Sequence, residues 1–492
     1  MLSSGPGAGA GVGPGAGSSA GTGTGAGSGA GAGAGAASAS ALGRLLSRRP
    51  PTTINWGLER IRFLLAGLGD PHRSFRAIHV AGTNGKGSVA ATAESILRAG
   101  GHRTGLYTSP HLVAFSERIA IDGRPAELAL LEDIAAELLP LAAEANATFF
   151  ESVTALGFAA FARRGVETAV VEVGLGGRLD ATNVLDAPVA VITSIDLDHA
   201  DYLGSDLAVI AREKAAIIAP AATLVLGPVD GVAREAILEA AETAGARVLR
   251  YGEEVGVTDV AIEGRAGGPG RAGRARGASG ARSASGARGA RSASGTFGTN
   301  FVYSSDLRPG GLRLSVPLHG RQQAINAALA VAAVDAFEAV PPREDVIRGG
   351  VGTVRWPGRF DLRMREDGAW LYDIAHNPAA AELLATLVDE MVGRSELPRP
   401  VVLLAGVLGD KDWAAVLGPL LAATDGAVFT DPPSAPPERR WDLREAGRLA
   451  EGIEVEPDFD RALVRARALA TADGTVLVTG SCHTVGDALR RE

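Results

Sequence analysis

A single cysteine, Cys482, stands in 492 residues, so no disulfide framework holds this chain, and its thiol chemistry fits a reducing cytosol. No run of about 18 or more apolar residues occurs, which excludes a membrane-spanning helix. Basic charge is not in excess either: the formal net charge is −8, which argues against a general nucleic-acid binder. The first ~42 residues lack the basic and apolar regions of a signal peptide, and they lack side chains able to build a core. They are Gly, Ala, Ser, Thr and Pro with no strict three-residue glycine period, so collagen is excluded and a disordered tail is expected. What remains, with 46 % hydrophobic and 21 % charged residues overall, is ample for two ordinary domains of a soluble enzyme.

The chain is organised around Ala77 to Ser88. Ile78 to Val80 reads as a buried strand, Gly82 to Gly87 as a Gly-rich turn, and Ser88 to Leu97 as a helix. Strand, turn and helix N-terminus form an anion site, because unpaired N–H groups converge there with the positive end of the helix dipole. Lys86 supplies a point charge for β- and γ-phosphates and Ser88 a hydroxyl for Mg²⁺. The usual P-loop has Lys directly before Ser or Thr; here Gly87 intervenes.

Downstream, strands alternate with helices: Gly101 to Tyr107, Ala169 to Val173, Val189 to Ile195 and Thr223 to Leu226 read as strands. Leu42 to Arg49, Trp56 to Leu68, Glu127 to Ala145, Glu151 to Arg164 and Leu207 to Ile218 read as helices. This alternation predicts a parallel, doubly wound sheet, whose ligands gather at the carboxyl ends of the strands. Lys86, Ser109, Glu172 and His199 fall at or just past such ends. Ser88, Ser109, Glu172 and His199 together offer hydroxyl, carboxylate and imidazole groups for Mg²⁺. Lys214, beside Glu213, is either a solvated helix lysine or a lysine carbamylated by CO₂.

Between Gly264 and Gly295 composition falls to Gly, Ala, Ser and Arg, which predicts a disordered insertion in a surface loop. A helix from Gln322 to Ala339 carries Asn326. A second, smaller Rossmann-like α/β unit begins near Trp356, so the domains expected are 43–355 and 356–492 after a 1–42 tail. Its strands are Trp370 to Ile374, Val401 to Ala405, Ala427 to Thr430 and Thr475 to Thr479. Asp373 and His376 end one strand before Pro378 starts a helix, and they face the phosphates if the units close on each other. Arg359 precedes this unit as a clamp for the γ-phosphate.

These motifs resemble the folylpolyglutamate synthase/dihydrofolate synthase family of the Mur ligase superfamily. The signatures are His79-Val80-Ala81-Gly82-Thr83-Asn84-Gly85-Lys86-Gly87-Ser88, Thr108-Ser109-Pro110-His111-Leu112 and Glu172 to Asn183. Asp198-His199, Glu213-Lys214-Ala215, Pro357-Gly358-Arg359, Asp373 to Pro378 and Gly480 to Val485 complete them, and the Gly87 insertion is itself the family's form. The resemblance implies an ATP-dependent amide ligase of folate biosynthesis and one-carbon metabolism. It would add L-glutamate to dihydropteroate, to reduced folates, or to both, through an acyl phosphate. It assigns Asn84, Gly85, Lys86 and Gly87 to the phosphates, Asn326, Arg359 and Asp373 to ATP, and Ser88, Ser109, Glu172 and His199 to Mg²⁺. Lys214 occupies the carbamylated position, and the catalytic set is Lys214, His376 and Arg359. The pterin-bearing substrate would touch Trp56, Gly57, Leu58 and Glu59, then Thr148, Phe149, Phe150 and Glu151, and Leu179, Asp180 and Ala181. His376 and Ser481 fall on the glutamate side. A cytoplasmic monomer with no nucleic-acid or membrane partner is expected.

Two departures stand out: Ala215 where the family usually has Gly, and the arginine-bearing insertion. The rivals are another Mur-type amino-acid ligase, which would need a further N-terminal domain, and a catalytically silent nucleotide-binding regulator, which would be expected to have lost Glu172, His199, Lys214, Asp373 and His376.

Overall fold

The structure, a computed structural model, describes residues 40–48, 57–198, 204–263 and 298–492. The Gly264 to Gly295 insertion, Arg49, Trp56, His199 and all but the last residues of the N-terminal tail therefore lie outside the described residues. Helix α1 (Ala41–Leu46) already buries Ala41, Leu42 and Leu45, with Ser40 capping its start. The folded chain thus reaches back past Leu42, because the backbone N–H groups of Ala41 and Leu42 are held by the Glu132 carboxylate.

The large sheet comprises β1 (Arg76–Ala81), β2 (Thr104–Tyr107), β3 (Ile119–Ile121), β4 (Arg124–Pro125), β5 (Thr168–Glu172), β6 (Val189–Ile192), β7 (Thr223–Leu226) and β8 (Arg247–Arg250). Its order is β4-β3-β2-β5-β1-β6-β7-β8, parallel except for the β3 and β4 edge. The remaining helices of this part are α2 (Glu59–Gly67), α3 (Lys86–Ala99), α4 (Leu128–Glu144), α5 (Phe149–Arg163), α6 (Leu207–Ala215), α7 (Gly231–Thr243), α8 (Arg321–Phe337) and α9 (Glu344–Thr353). Successive side chains along each strand serve opposite cores, which is why the strands read as unbroken apolar runs. Ile78, Val80 and Val191 join α3 and α8 on one face. Ala77, Tyr107 and Val171 meet α4 and α5 on the other, where Ile192 and Leu226 meet α6 and α7. The sheet is doubly wound, as its alternation predicts.

A second, antiparallel sheet of β9 (Val255–Glu263), β10 (Gly298–Ser305) and β11 (Arg308–Val316) packs on α8 through Phe301, Tyr303 and Leu314. It has no counterpart in the sequence reading, because the low-complexity segment separates its first two strands.

The third sheet contains β12 (Asp361–Arg365), β13 (Gly368–Tyr372), β14 (Val401–Ala405), β15 (Gly426–Phe429), β16 (Ile453–Val455) and β17 (Thr475–Thr479), in the order β12-β13-β17-β14-β15-β16. Only β12 runs antiparallel. Helices α10 (Pro378–Gly393), α11 (Trp413–Ala422), α12 (Leu443–Ala446), α13 (Phe459–Ala470) and α14 (Cys482–Leu489) cover its faces. Asp373 follows β13 and Ser481 follows β17, so the carboxyl edge of this sheet meets the carboxyl edge of the first. No helix among the described residues is long and apolar enough to cross a membrane.

Candidate active site

The phosphate loop between β1 and α3 is braced before any ligand arrives. Thr83 N–H donates to the Ser194 carbonyl at 2.8 Å, Asn84 N–H to Ser194 Oγ at 3.1 Å, and Thr193 Oγ1 to the Asn84 carbonyl at 2.6 Å. Strand β6 ends at Ile192, short of the expected Ile195, because Thr193 to Asp196 turn aside to make these bonds. Helix α3 begins at Lys86 rather than Ser88, and its first-turn amides have no helical carbonyl to pair with. The indole of Trp356 lies against Gly87, where a Cβ would come within 2.7 Å of the ring. That contact is a physical reason for a glycine at the position that departs from the ordinary P-loop.

Lys86 Nζ bonds the carbonyls of Gly82 at 3.2 Å and Thr83 at 3.1 Å. Lys214 Nζ reaches the same Gly82 carbonyl at 2.9 Å, from α6. Lys214 is 6 % exposed, which rules out the solvated-helix reading, and Glu213 pairs with Arg178 instead. Burial, helped by the neighbouring Lys86 charge, holds the Lys214 amine down at about 7. Helix α6 approaches this closely because Gly177 faces it: a Cβ there would sit 2.4 Å from the Glu213 carbonyl oxygen.

Glu172, at the end of β5, is buried and accepts the Ser109 N–H at 3.2 Å. Burial raises its pKa, while Lys86, Arg359 and Arg118 oppose the rise. Ser88 Oγ is sealed from solvent with no hydrogen-bond partner. An orphaned hydroxyl and a desolvated carboxylate suit a small hard cation sharing oxygens with a phosphate. No group of three His, Cys, Asp or Glu side chains able to hold a metal occurs among the described residues. Among the described residues the donors available to Mg²⁺ are hydroxyl and carboxylate; His199 lies outside them.

Across the cleft, Asn377 caps α10 and its Nδ2 donates to Asn84 Oδ1 at 3.1 Å. Asp198 receives Lys411 Nζ at 2.6 Å and lies 3.6 Å from His376 Nε2. Asp373 accepts the Phe360 and Ala375 N–H groups, each at 2.8 Å, which fixes the turn carrying His376. His376 Nδ1 bonds the Ile374 carbonyl at 2.8 Å, leaving Nε2 toward Asp198. Asn326 is buried against Gly85, its Oδ1 unpaired. Half-buried Arg359 lies beside a cavity of about 610 Å³ lined by His319, Trp356 and Phe360.

Four expected substrate contacts, Asp180, Glu151, Thr148 and Ser481, have their side chains committed to the fold. Asp180 is buried, its oxygens taken by the N–H groups of Gly174 (3.0 Å), Leu175 (2.9 Å) and Thr182 (3.0 Å) and by Thr182 Oγ1 (2.6 Å). His79 Nε2 completes that chain at 2.8 Å from Thr182 Oγ1, and burial keeps the imidazole neutral, with its pKa down at about 3. Glu151 and Thr148 form a reciprocal cap on α5, and Arg60 Nε bonds Glu151 at 3.0 Å. Ser481 caps α14 and donates to the Gly406 carbonyl at 2.8 Å. These side chains shape the loops. Of the other expected contacts, Gly57, Leu58, Phe149, Phe150 and Leu179 are half-buried and Glu59 is exposed, whereas Ala181 is buried in the core against which Leu58, Phe149 and Phe150 pack. The sequence reading assigned no role to Lys411, Asn377 or Arg118; the one available hint was that all three lie near strand ends or motif turns.

The Mur ligase middle domain family matches residues 80–268, and the Mur ligase glutamate ligase domain family matches residues 358–482. The chain is 39 % identical over 441 residues to the dihydrofolate synthase/folylpolyglutamate synthase of Mycobacterium tuberculosis, covering 84 % of this chain and 81 % of that protein. The M. tuberculosis folylpolyglutamate synthase solved with ADP aligns at a TM-score of 0.77 and 34 % identity, over 92 % of this chain and 98 % of that one. Escherichia coli FolC, solved with DHPP and ADP, aligns at 0.75 and 31 % identity over the same shares. With both units of the ligase present and the alignment running through the phosphate loop, the cleft and the facing sheet, the chain belongs to the dihydrofolate synthase/folylpolyglutamate synthase family of Mur ligases.

Proposed function

We propose that this chain is a cytoplasmic, monomeric, ATP-dependent ligase that joins L-glutamate to dihydropteroate, to reduced folates, or to both. The observation that carries this reading is the facing of two carboxyl edges. A phosphate loop with Lys86, Ser88, Glu172 and Lys214 lies on one side, and Asp373, His376 and Asn377 lie on the other, bridged by Asn84. In this reading residues 43–355 bind ATP and the acceptor, and residues 356–492 bring glutamate.

The acceptor carboxylate oxygen attacks the γ-phosphorus, the bond to the β,γ-bridging oxygen breaks, and ADP leaves. The amine of glutamate then attacks the acyl carbon, phosphate departs, and one amine proton is released. Catalysis of both steps is largely positioning and charge neutralisation. The first-turn amides of α3 and Lys86 hold phosphate oxygens. In this reading the cavity beside Trp356 and Phe360, of a size for a nucleoside, takes the nucleoside of ATP, and Arg359 in its lining clamps the phosphates. Ser88, Ser109, Glu172 and His199 would hold Mg²⁺, which supplies charge neutralisation on the phosphates. Lys214, once carbamylated, presents an anion where a lysine presents a cation. In this reading His376, whose Nε2 lies 3.6 Å from Asp198, takes the amine proton. The silent-regulator reading fares worse, because the buried Glu172 and Lys214 are costly groups that a mere nucleotide switch does not need.

Purified protein incubated with ATP, Mg²⁺, glutamate and either dihydropteroate or tetrahydrofolate should release one ADP and one phosphate per amide formed. Product from only one acceptor assigns that half of the activity; ADP release without amide in either mixture contradicts the reading.

A further inference from the structure

Arg118 ends a 3₁₀ turn, Phe115–Arg118, and its carbonyl accepts the Thr108 N–H at 3.0 Å. The backbone therefore fixes it at the carboxyl end of β2, beside Ser109. The residue is 9 % exposed. Its Nε donates to His111 Nδ1 at 2.9 Å, and its guanidinium carbon lies 5.6 Å from the Phe149 ring centroid. Burial lowers the His111 pKa to about 4, so that ring is a neutral acceptor and offers no counter-charge.

Two other arginines with little exposure have a carboxylate close by. Arg308 grips Asp335 through two bonds of 2.8 Å, and Arg60 lies 2.9 Å from Glu151. Among the described residues Arg118 has no carboxylate within ion-pair distance, and its terminal nitrogens make no hydrogen bond. A desolvated cation is expensive when uncompensated, and a guanidinium fork fits a carboxylate in bidentate fashion. Glu172, Cys482 and Tyr107 are near enough to act on it electrostatically, so the fork sits where the metal carboxylate, the Phe149 segment and the second α/β unit converge.

We propose that Arg118 is a carboxylate-binding residue of the cleft, its two terminal nitrogens taking an organic carboxylate from one of the two substrates. The assignment rests on the ligase reading above. The Phe149 side favours the acceptor's carboxylate and the Cys482 side that of glutamate; both present the same chemistry to the fork.

The test compares the full chain with Arg118→Gln and Arg118→Lys, measuring KM separately for ATP, acceptor and glutamate, together with calorimetric binding of the acceptor and of its carboxamide analogue. In Arg118→Gln, KM for one organic substrate should rise about 30-fold or more while KM for ATP stays within about threefold. Arg118→Lys should recover part of the loss. A rise for the acceptor, with carboxylate and carboxamide bound equally by the variant but not by the parent, assigns that source. A rise for glutamate alone assigns the other. Unchanged KM for both, or equal losses for all three substrates with a lowered Tm, overturns the proposal. If Arg118→Gln does not fold, the same KM split in Arg118→Lys decides. A parent chain that ligates nothing sinks the ligase reading with it, whereas an active parent with an indifferent Arg118→Gln sinks this assignment alone.

Discussion

Lys214→Ala will lose ligation by about 1000-fold or more, while KM for ATP stays within about threefold, because in the proposed site Lys86 and the α3 amides hold the phosphates without it. Two lysines converge on the Gly82 carbonyl, at 3.2 and 2.9 Å, and both cannot comfortably stay charged there. Carbamylation would resolve this: a neutral amine attacks CO₂, an N–C bond forms, a proton leaves, and a cation becomes an anion. An ordinary lysine at pH 7 is neutral in roughly one molecule in 3,000. With its pKa near 7, Lys214 is neutral in about half at that pH. Activation at fixed dissolved CO₂ should therefore climb as pH rises through about 7 and flatten above it. Acetate should restore part of the activity of Lys214→Ala, since a small carboxylate can occupy the vacated space. A fully active Lys214→Ala, or an intact mass showing unmodified lysine in active enzyme, contradicts the carbamate.

Glu172→Gln should lower kcat by about 100-fold or more, the scale of losing one preorganised contact to developing charge. The substitution keeps the shape and the bond from Ser109 N–H, so the fold is spared and the change is one of charge. It also removes a carboxylate whose ionised form is strained by burial, so Tm should hold or rise. Raising Mg²⁺ should recover part of the rate if Glu172 holds the metal. Turnover near that of the parent, at any Mg²⁺ concentration, contradicts the role.

The doubly wound sheets were legible because their strands are buried on both faces and their turns carry glycine and Pro378. The phosphate loop, Glu172 and Asp373 were legible for a related reason: polar residues closing apolar strands announce strand ends. Lys214 was ambiguous, since a buried lysine and a solvated one look alike on a helix beside a glutamate. Asp180, Glu151 and Ser481 show the opposite limit: sequence marks them as polar and near the site, but not that their oxygens face inward to cap helices and hold loops. Lys411 sits in a polar loop where a solvated side chain is the ordinary expectation, and only the approach of the two sheets gives it Asp198. The β9, β10 and β11 sheet is not legible in the sequence because a low-complexity segment falls between β9 and β10.

In the proposed reaction the acceptor carboxylate takes the γ-phosphoryl group before glutamate arrives. Acceptor labelled with ¹⁸O in its carboxylate, incubated with ATP, glutamate and the purified chain, tests this directly. The phosphate released should carry one ¹⁸O per amide formed, as the acyl phosphate requires; unlabelled phosphate alongside amide product would contradict the mechanism.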